Sequence, residues 1–156
     1  MTSAFMLALL LAVSPSQICK SVYADSTPDS DGYLQMGGAL IGVHNGRTYA
    51  IDHLCNGATH KLILQVSTGD DDAGNPRWRT LDQVLIPTRG DEFFFAFGEK
   101  VCRRGTSYDP EIVVIAADAD REFLPALEVW RANRATGRFE SVPKQNISCL
   151  NEGFGT

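Results

Sequence analysis

The strongest constraint on the fold is a series of short apolar runs separated by turn-forming residues. Asn45-Gly46 lies between two such runs, residues 39–44 and 47–53. Asn-Gly supplies the two positive φ angles of a type I′ turn, so it predicts a β-hairpin. Residues 61–67 and 79–86 flank the acidic sequence Gly-Asp-Asp-Asp-Ala-Gly-Asn-Pro and predict a second hairpin with a long loop.

Two further runs are apolar on both faces, residues 93–97 (Phe-Phe-Phe-Ala-Phe) and 112–117 (Ile-Val-Val-Ile-Ala-Ala). Such runs are typical of central strands buried on both sides, although the period alone also fits a buried helix. The whole pattern predicts a mainly β fold. We expect a single small antiparallel domain, a sandwich or a meander, with at most one short helix.

The segment from residue 118 to 142 allows two interpretations. Residues 128–131 and 139–142 flank a polar link that ends in Gly137, which favours a third hairpin. A short helix over residues 125–134 is the alternative, because Pro125 suits a first helical position and apolar residues recur three to four apart. Residues 118–124 would form one helical turn.

The predicted core consists of the inward-facing positions of these strands. A domain of this size has one hydrophobic core, so these side chains are expected to pack together. They are Leu62, Leu64, Val66, Val84, Ile86, Phe93, Phe95, Phe97, Val113, Ile115, Trp130 and Phe139.

The N-terminus carries an unbroken apolar run over residues 4–13. A membrane span needs about twenty such residues, so the run fits the apolar region of a secretory signal peptide better than a transmembrane anchor. We predict a signal peptide over residues 1–24, with cleavage after Ala24 as the first choice and after Ser16 as the alternative. A disordered leader (25–36) and one β-rich domain (37–156) would follow. A buried N-terminal helix is the competing interpretation.

The four cysteines, Cys19, Cys55, Cys102 and Cys149, are separated by 35, 46 and 46 residues. This spacing excludes the C-x-x-C patterns of redox and zinc sites and, in an exported chain, indicates structural disulfides. Cleavage after Ala24 would leave three cysteines, whereas cleavage after Ser16 would keep all four. An up-and-down meander places Cys55 and Cys149 at one end, about 17–20 Å from Cys102. Cys55–Cys149 is therefore the favoured pair, with Cys102 as an alternative partner.

The formal net charge of −5 gives no general attraction to nucleic acid or to anionic lipid. Arginine nevertheless stands beside an aromatic residue in Arg77-Trp78-Arg79, and Arg103-Arg104 is a second basic pair. Trp and Arg are enriched at binding hot spots, so these five residues are candidates for contact with a protein partner. The competing interpretation is a core Trp beside a surface Arg, since adjacent strand residues point in opposite directions.

Two groups of residues are weak candidates for a metal site. His44, His53 and His60 lie close together in sequence with Cys55, but in none of the standard ligand spacings. Two of these histidines within about 4 Å of each other would favour a metal site; scattered histidines would argue against one. Clustered carboxylates at Asp70, Asp71 and Asp72 suggest calcium, but they fail the EF-hand register and suit a solvated hairpin tip.

No catalytic motif is present: the chain lacks G-x-S-x-G, H-E-x-x-H and a glycine-rich phosphate loop. Asp118, Asp120 and Glu122 are paired carboxylates, but glycosidase chemistry needs a deep cleft that a small β domain seldom has. No cofactor is expected, and the balance of these observations is against an enzyme.

Residues 109–153, including Trp130-Arg131-Ala132-Asn133-Arg134, together with residues 78–82, resemble the C-terminal part of small exported proteobacterial proteins of unknown function. The resemblance carries no active site and implies an envelope setting. We expect a non-enzymatic periplasmic or secreted binding protein, of inhibitory or immunity type, whose partner is another envelope protein. The alternatives are a metal-dependent protein or enzyme that uses the histidine region and a structural envelope component.

Overall fold

The computed structural model describes residues 19, 27–89, 93–117, 119–152 and 154–155. These residues form β-strands and connecting turns, with no helix among them, and hence no helix long and apolar enough to cross a membrane. The strands are β1 (Leu34–His44), β2 (Arg47–Cys55), β3 (Thr59–Asp70), β4 (Pro76–Pro87), β5 (Phe93–Ala96), β6 (Cys102–Arg104), β7 (Ser107–Tyr108), β8 (Ile112–Ala117), β9 (Phe123–Asn133), β10 (Arg138–Ser141) and β11 (Ile147–Leu150).

The first sheet has the order β1-β2-β3-β4, and all its pairs are antiparallel. The predicted turn between β1 and β2 is confirmed, since Asn45 and Gly46 have φ angles of 48° and 72° and His44 pairs with Arg47. The second predicted hairpin is also confirmed, with β3 and β4 on either side of the acidic loop. Turn residues in the sequence therefore correctly predicted two of the three connections in this sheet.

The second sheet has the order β5-β8-β9-β11-β6-β7, and β10 also pairs with β9. The third predicted hairpin is confirmed: β9 and β10 flank a turn in which Gly137 has a φ of 68°. The alternative helix over residues 125–134 is wrong, because these residues lie in β9 and the following turn. Of the predicted helical turn over residues 118–124, residues 120–122 form bends and residues 123–124 already belong to β9. The predicted fold class, a small antiparallel β domain, is confirmed.

The predicted core is confirmed between the two sheets. Leu62, Leu64, Val66, Ile86, Val113 and Ile115 are at most 3% exposed there, and the Phe93 side chain lies outside the described residues. The other predicted core residues pack around this cluster partly buried: Val84, Phe95, Phe97, Trp130 and Phe139.

A second core, which we did not predict, fills the opposite face of the second sheet. Alternate residues of β8 divide between the two cores: Val113 and Ile115 face the first sheet, whereas Ile112, Val114 and Ala116 face the second core. All five are fully buried. The run of residues 112–117, apolar on both faces, therefore correctly predicted a central strand. The expectation of a single core was wrong.

The disulfides correct the predicted pairing. Cys102 pairs with Cys149 and Cys19 pairs with Cys55, at Cα separations of 4.1 and 5.8 Å, so the expected Cys55–Cys149 bond is wrong. The reason lies in the short hairpin formed by β6 and β7, which interrupts the meander between β5 and β8. It places Cys102 directly opposite Cys149 in the β6–β11 pair.

The described N-terminal residues are anchored before position 37. The Asp29 carboxylate accepts hydrogen bonds from the backbone N–H groups of Asp31 and Tyr33, at 2.9 and 2.8 Å. The Tyr33 ring is buried under the Lys61 ammonium, 3.7 Å from its centroid, and β1 begins at Leu34. The described, hydrogen-bonded part of the domain thus includes residues of the predicted leader. The predicted signal peptide, apart from Cys19, lies outside the described residues.

Candidate functional site

The structure brings two of the three histidines together. His53 on β2 and His60 on β3 share a hydrogen bond, with Nε2 and Nδ1 2.9 Å apart. His44 lies apart at the first hairpin, where its ring is 6.3 Å from that of Tyr49. Cys55, the fourth member of the sequence group, is held in the disulfide with Cys19.

Strand register explains the histidine pair. In the β2–β3 pairing His53 lies opposite Leu62, and Cys55 lies opposite His60. His53 and His60 are thus diagonal neighbours on the inner face of the sheet, at a separation that ring side chains can bridge. Phe95 of β5 covers them from the second sheet, with ring centroids 4.4 Å from His53 and 5.0 Å from His60.

Burial keeps the pair uncharged at neutral pH. Desolvation, followed by the nearby His60, lowers the pKa of His53 to about 3. Desolvation also lowers the pKa of His60. Two neutral rings that share one proton donor form an ordinary buried hydrogen bond.

As a metal site the pair is incomplete. Nitrogen ligands about 2.0–2.1 Å from a tetrahedral ion lie about 3.3 Å apart, farther than the 2.9 Å between these nitrogens. Within the described ranges no group of three His, Cys, Asp or Glu side chains is placed to hold an ion. His53 and His60 meet the criterion of a separation within about 4 Å. Their mutual hydrogen bond would nevertheless have to break before an ion could bind.

The acidic loop uses its central carboxylate to build the turn. Asp71 accepts hydrogen bonds from the backbone N–H groups of Ala73 and Asn75, at 2.9 and 2.8 Å, and from the Asn75 amide at 3.2 Å. These bonds lower the Asp71 pKa, those to Asn75 most. Asp70 belongs to β3, where it pairs with Pro76. Turn formation thus accounts for Asp71 without calcium.

The candidate arginines lie on different sheets. Arg77, Trp78 and Arg79 are on β4, where Trp78 is half-buried between exposed arginines, as the core-and-surface interpretation predicts. Arg103 is on β6, with its guanidinium 3.4 Å from the Phe123 ring centroid and its Nε donating to Ser148 Oγ at 3.2 Å. Arg104 beside it is exposed. The structure therefore gives no single basic surface that combines the two groups.

A cleft of about 620 Å³ lies where the two sheets present their edge strands, and we name it the edge cleft. Its walls are residues 37–39 of β1, residues 94–99 of β5 and the following loop, Val101 and residues 150–152. This volume falls in the range of small-molecule binding pockets. Phe95 lines the cleft and also covers the histidine pair, so the two features share a wall.

Hydrogen bonds hold the C-terminal wall in place. The Leu150 N–H donates to the Val101 carbonyl at 2.9 Å, and the Asn151 N–H donates to the Glu122 carbonyl at 2.8 Å. The Asn151 amide also donates to the carbonyls of Ala119 and Arg121, both at 3.2 Å. The cleft is therefore bounded by fixed main chain, which favours a preformed binding site.

Carboxylates give the edge cleft its charge. Glu99 and Glu152 are exposed at its rim, and its described lining includes no Lys, Arg or His. Sequence reasoning missed this site because Gly37-Gly38 and the C-terminal residues carry no motif. The one available signal was the glycine pair in a strand, which often marks a close approach of another backbone.

A buried carboxylate that sequence reasoning also missed ties the sheets together. Glu111 is 5% exposed and accepts hydrogen bonds from Arg131 Nε at 2.6 Å and Arg134 Nε at 2.8 Å. Arg134 Nη1 in turn donates to the Val43 carbonyl of β1 at 3.2 Å. Glu111, Arg131 and Arg134 thus connect the end of β1 to the β9–β10 turn, and this connection stabilises the fold.

The chain matches no protein-family model, no curated protein and no solved structure at significant similarity. The edge cleft and the histidine pair must therefore be interpreted from their own geometry. Two disulfides are typical of oxidising, extracellular compartments.

Proposed function

We propose that this protein is an exported, non-enzymatic binding protein of inhibitory or immunity type, which holds a segment of another envelope protein in the edge cleft. The observation that carries the proposal is the cleft itself: about 620 Å³ of preformed space between two edge strands, bounded by hydrogen-bonded main chain. Rigid scaffolds bind well because little conformational entropy is lost on association, and two disulfides supply that rigidity here.

Retention of the Cys19–Cys55 bond in the processed protein requires cleavage before Cys19. The Cys19–Cys55 bond joins the N-terminal segment to β2, and Cys19 is 3% exposed. Cleavage after Ala24 would remove Cys19 and leave Cys55 without its partner, whereas cleavage after Ser16 keeps both disulfides. We therefore propose Gln17 as the first residue of the exported protein.

The test is affinity capture from the exported fraction of the source organism with a cleft-blocked variant. Gly37 suits the block, because a Cβ there would meet no atom within 4 Å and its φ is not positive. Gly37→Trp should fill the edge cleft without disturbing the fold. Gln83→Trp, at an exposed position on β4, is the matched control.

We expect a partner that binds the wild-type domain and Gln83→Trp but not Gly37→Trp. A partner captured equally by all three proteins would show that the edge cleft is not the binding site. Capture of no partner by the wild-type domain at physiological salt would overturn the proposal. Circular dichroism of each variant establishes that it is folded.

Metal binding by the histidine pair is the second candidate function, and the position of His53 and His60 as diagonal neighbours on one face of the β2–β3 pair favours it. Calorimetric titration with Zn²⁺ and with Cu²⁺ tests it. If the pair binds an ion, His53→Gln and His60→Gln should each abolish binding, while His44→Gln should retain it. Absence of heat with the wild-type domain would reject this candidate. It ranks second because the described residues supply no third ligand.

A further inference from the structure

We propose, on the basis of the function proposed above, that the edge cleft takes its partner as an extended, basic peptide segment that pairs with β5 as an additional strand. Edge strands present unpaired backbone groups to any extended chain of suitable shape. Recognition by strand addition gains affinity from main-chain hydrogen bonds and specificity from the pockets for alternate side chains.

β5 is the better of the two edges for such pairing. It is the terminal strand of its sheet and pairs with β8 over four consecutive residues without a register shift. β1 is terminal too, but its pairing with β2 shifts register twice, which twists an edge away from new partners. Two β1 carbonyls already accept hydrogen bonds from side chains of the domain: that of Gly37 from Gln35 at 2.9 Å, and that of Val43 from Arg134 at 3.2 Å. On β5 the Ala96 carbonyl lies 3.5 Å from Cys102 Sγ, which is in a disulfide and has no proton to donate.

Glycines leave room beside β5 for another main chain. A Cβ at Gly37 would point into open space, so the β1 wall at this position is bare backbone. Gly98, two residues after the end of β5, has a φ of 117°, and a Cβ there would lie 3.0 Å from the Ala39 side chain. Gly98 thus lets the β5 loop touch β1 and close one end of the cleft.

The side chains of the cleft specify the chemistry of the ligand. Phe94, Val101 and Leu150 offer apolar contacts, whereas Glu99 and Glu152 are the charged groups of the described lining. A Lys or Arg side chain in the ligand would pair with these carboxylates, and the net charge of −5 would attract it from solution. An acidic segment would be repelled.

The length of β5 sets the length of the ligand. Its four residues, Phe93–Ala96, span about 13 Å at the usual rise of a strand. A segment of four to six residues that alternates apolar and basic side chains would therefore fill the edge.

The experiment is selection of a phage-displayed library of random heptapeptides on the wild-type domain, with removal of phage that also bind Gly37→Trp. Enriched peptides are synthesised with a fluorescein label and titrated by fluorescence anisotropy. Each is also made with N-methyl groups on alternate residues, which removes backbone donors. Glu99→Gln and Glu152→Gln test the charge, and Gln83→Trp is the matched control variant.

We expect enriched peptides that contain Lys or Arg. Their affinity should fall about tenfold on substitution of either glutamate and by more on N-methylation of the edge-facing residues, while Gln83→Trp binds as the wild type. Enriched peptides without basic residues would overturn the proposed ligand charge, and N-methylated peptides that bind equally well would overturn strand addition. Failure to enrich any peptide would overturn it too. In all these cases the capture experiment with Gly37→Trp still decides the proposed function independently.

Discussion

The His53 ring is held uncharged on the inner face of β2, with a pKa lowered to about 3 by burial first and by His60 second. In the unfolded chain the same ring titrates near 6.5. At pH values between about 3 and 6.5, the unfolded chain binds a proton at His53 that the folded chain does not bind. The free energy of unfolding therefore decreases as the pH falls through this range. The loss is about 1.4 kcal/mol per pH unit, or about 3 kcal/mol at pH 4.5.

Urea unfolding between pH 7 and pH 4 measures this effect. His53→Gln, which does not titrate, should show a shallower fall in the free energy of unfolding than the wild type. His44→Gln, at the first hairpin and outside the pair, should keep the wild-type slope. An unchanged slope in His53→Gln would show that this ring is not the source of acid sensitivity.

Glu111 is a second residue whose charge stabilises the fold. Burial alone would raise its pKa, but hydrogen bonds from Arg134 and Arg131 outweigh burial and lower it. Its contribution is therefore present above the pKa of the unfolded chain and is lost as the pH falls through the lower folded value. Glu111→Gln should destabilise the domain by about 2 kcal/mol at pH 7, since it removes a charge from two charge-assisted hydrogen bonds.

The control for Glu111→Gln is Glu128→Gln. Glu128 pairs with Arg89, but both side chains are more than one-third exposed, so its loss should cost less than about 1 kcal/mol. Urea unfolding compares the two variants. Equal costs for both substitutions would contradict the role assigned to the buried carboxylate.

At the level of elements, the β1–β2 turn depends on its glycine. Gly46 has a φ of 72°, in the left-handed region that costs other residues about 1–2 kcal/mol. Gly46→Ala should reduce the free energy of unfolding by that amount. Gly37→Ala, in the same β-hairpin but without a positive φ, should change it by less than about 0.5 kcal/mol. A smaller cost at Gly46 than at Gly37 would contradict the turn assignment.

The sequence predicted those elements whose turn residues or apolar runs are local signals. The first hairpin followed from Asn45-Gly46, and the third from Gly137. The strands β6, β7 and β11 were not predicted, because they have only two to four residues and a hydrophobic period cannot be recognised over so short a length. β9 was ambiguous because its pairing with β8 shifts register between Ile115 and Ala116, which breaks the alternation of buried residues along it.

The candidate site depended on register and tertiary placement. That His53 and Cys55 share a face was visible from their spacing, but the partner His60 required the β2–β3 register. The edge cleft could be predicted only from the order of the strands in each sheet. No local pattern in residues 37–39 or 150–152 indicates that order. Glu111 lies 20 residues from Arg131, so their pairing left no sequence signal either.

At the scale of the whole molecule, the disulfides show how one unseen hairpin changes a long-range prediction. Strand parity predicts the ends correctly only in a meander, but β6 pairs with β11, which lies on the other side of β9 from β8 and β5. Cys102 then returns beside β11 rather than remaining at the far end. A pairing inferred from strand count alone fails when one strand leaves the sequential order of the meander.

Peptide mapping under non-reducing conditions should yield Cys19–Cys55 and Cys102–Cys149 peptides. Each bond closes a loop of 36 or 47 residues, which corresponds to about 4 kcal/mol in the chain-entropy model. Replacing both members of either pair with Ala should lower the free energy of unfolding by an amount of that order. Detection of a Cys55–Cys149 peptide would refute the arrangement described here.

The position of β8 has a consequence for how the domain opens. The strand is paired on both edges, with β5 and β9, and Ile112, Val113, Val114, Ile115 and Ala116 are fully buried between the two cores. Its amide protons can meet solvent only when both cores come apart, so hydrogen–deuterium exchange there should report global unfolding. A β8 amide that exchanged as fast as one in the exposed β7 would mean that each core opens separately.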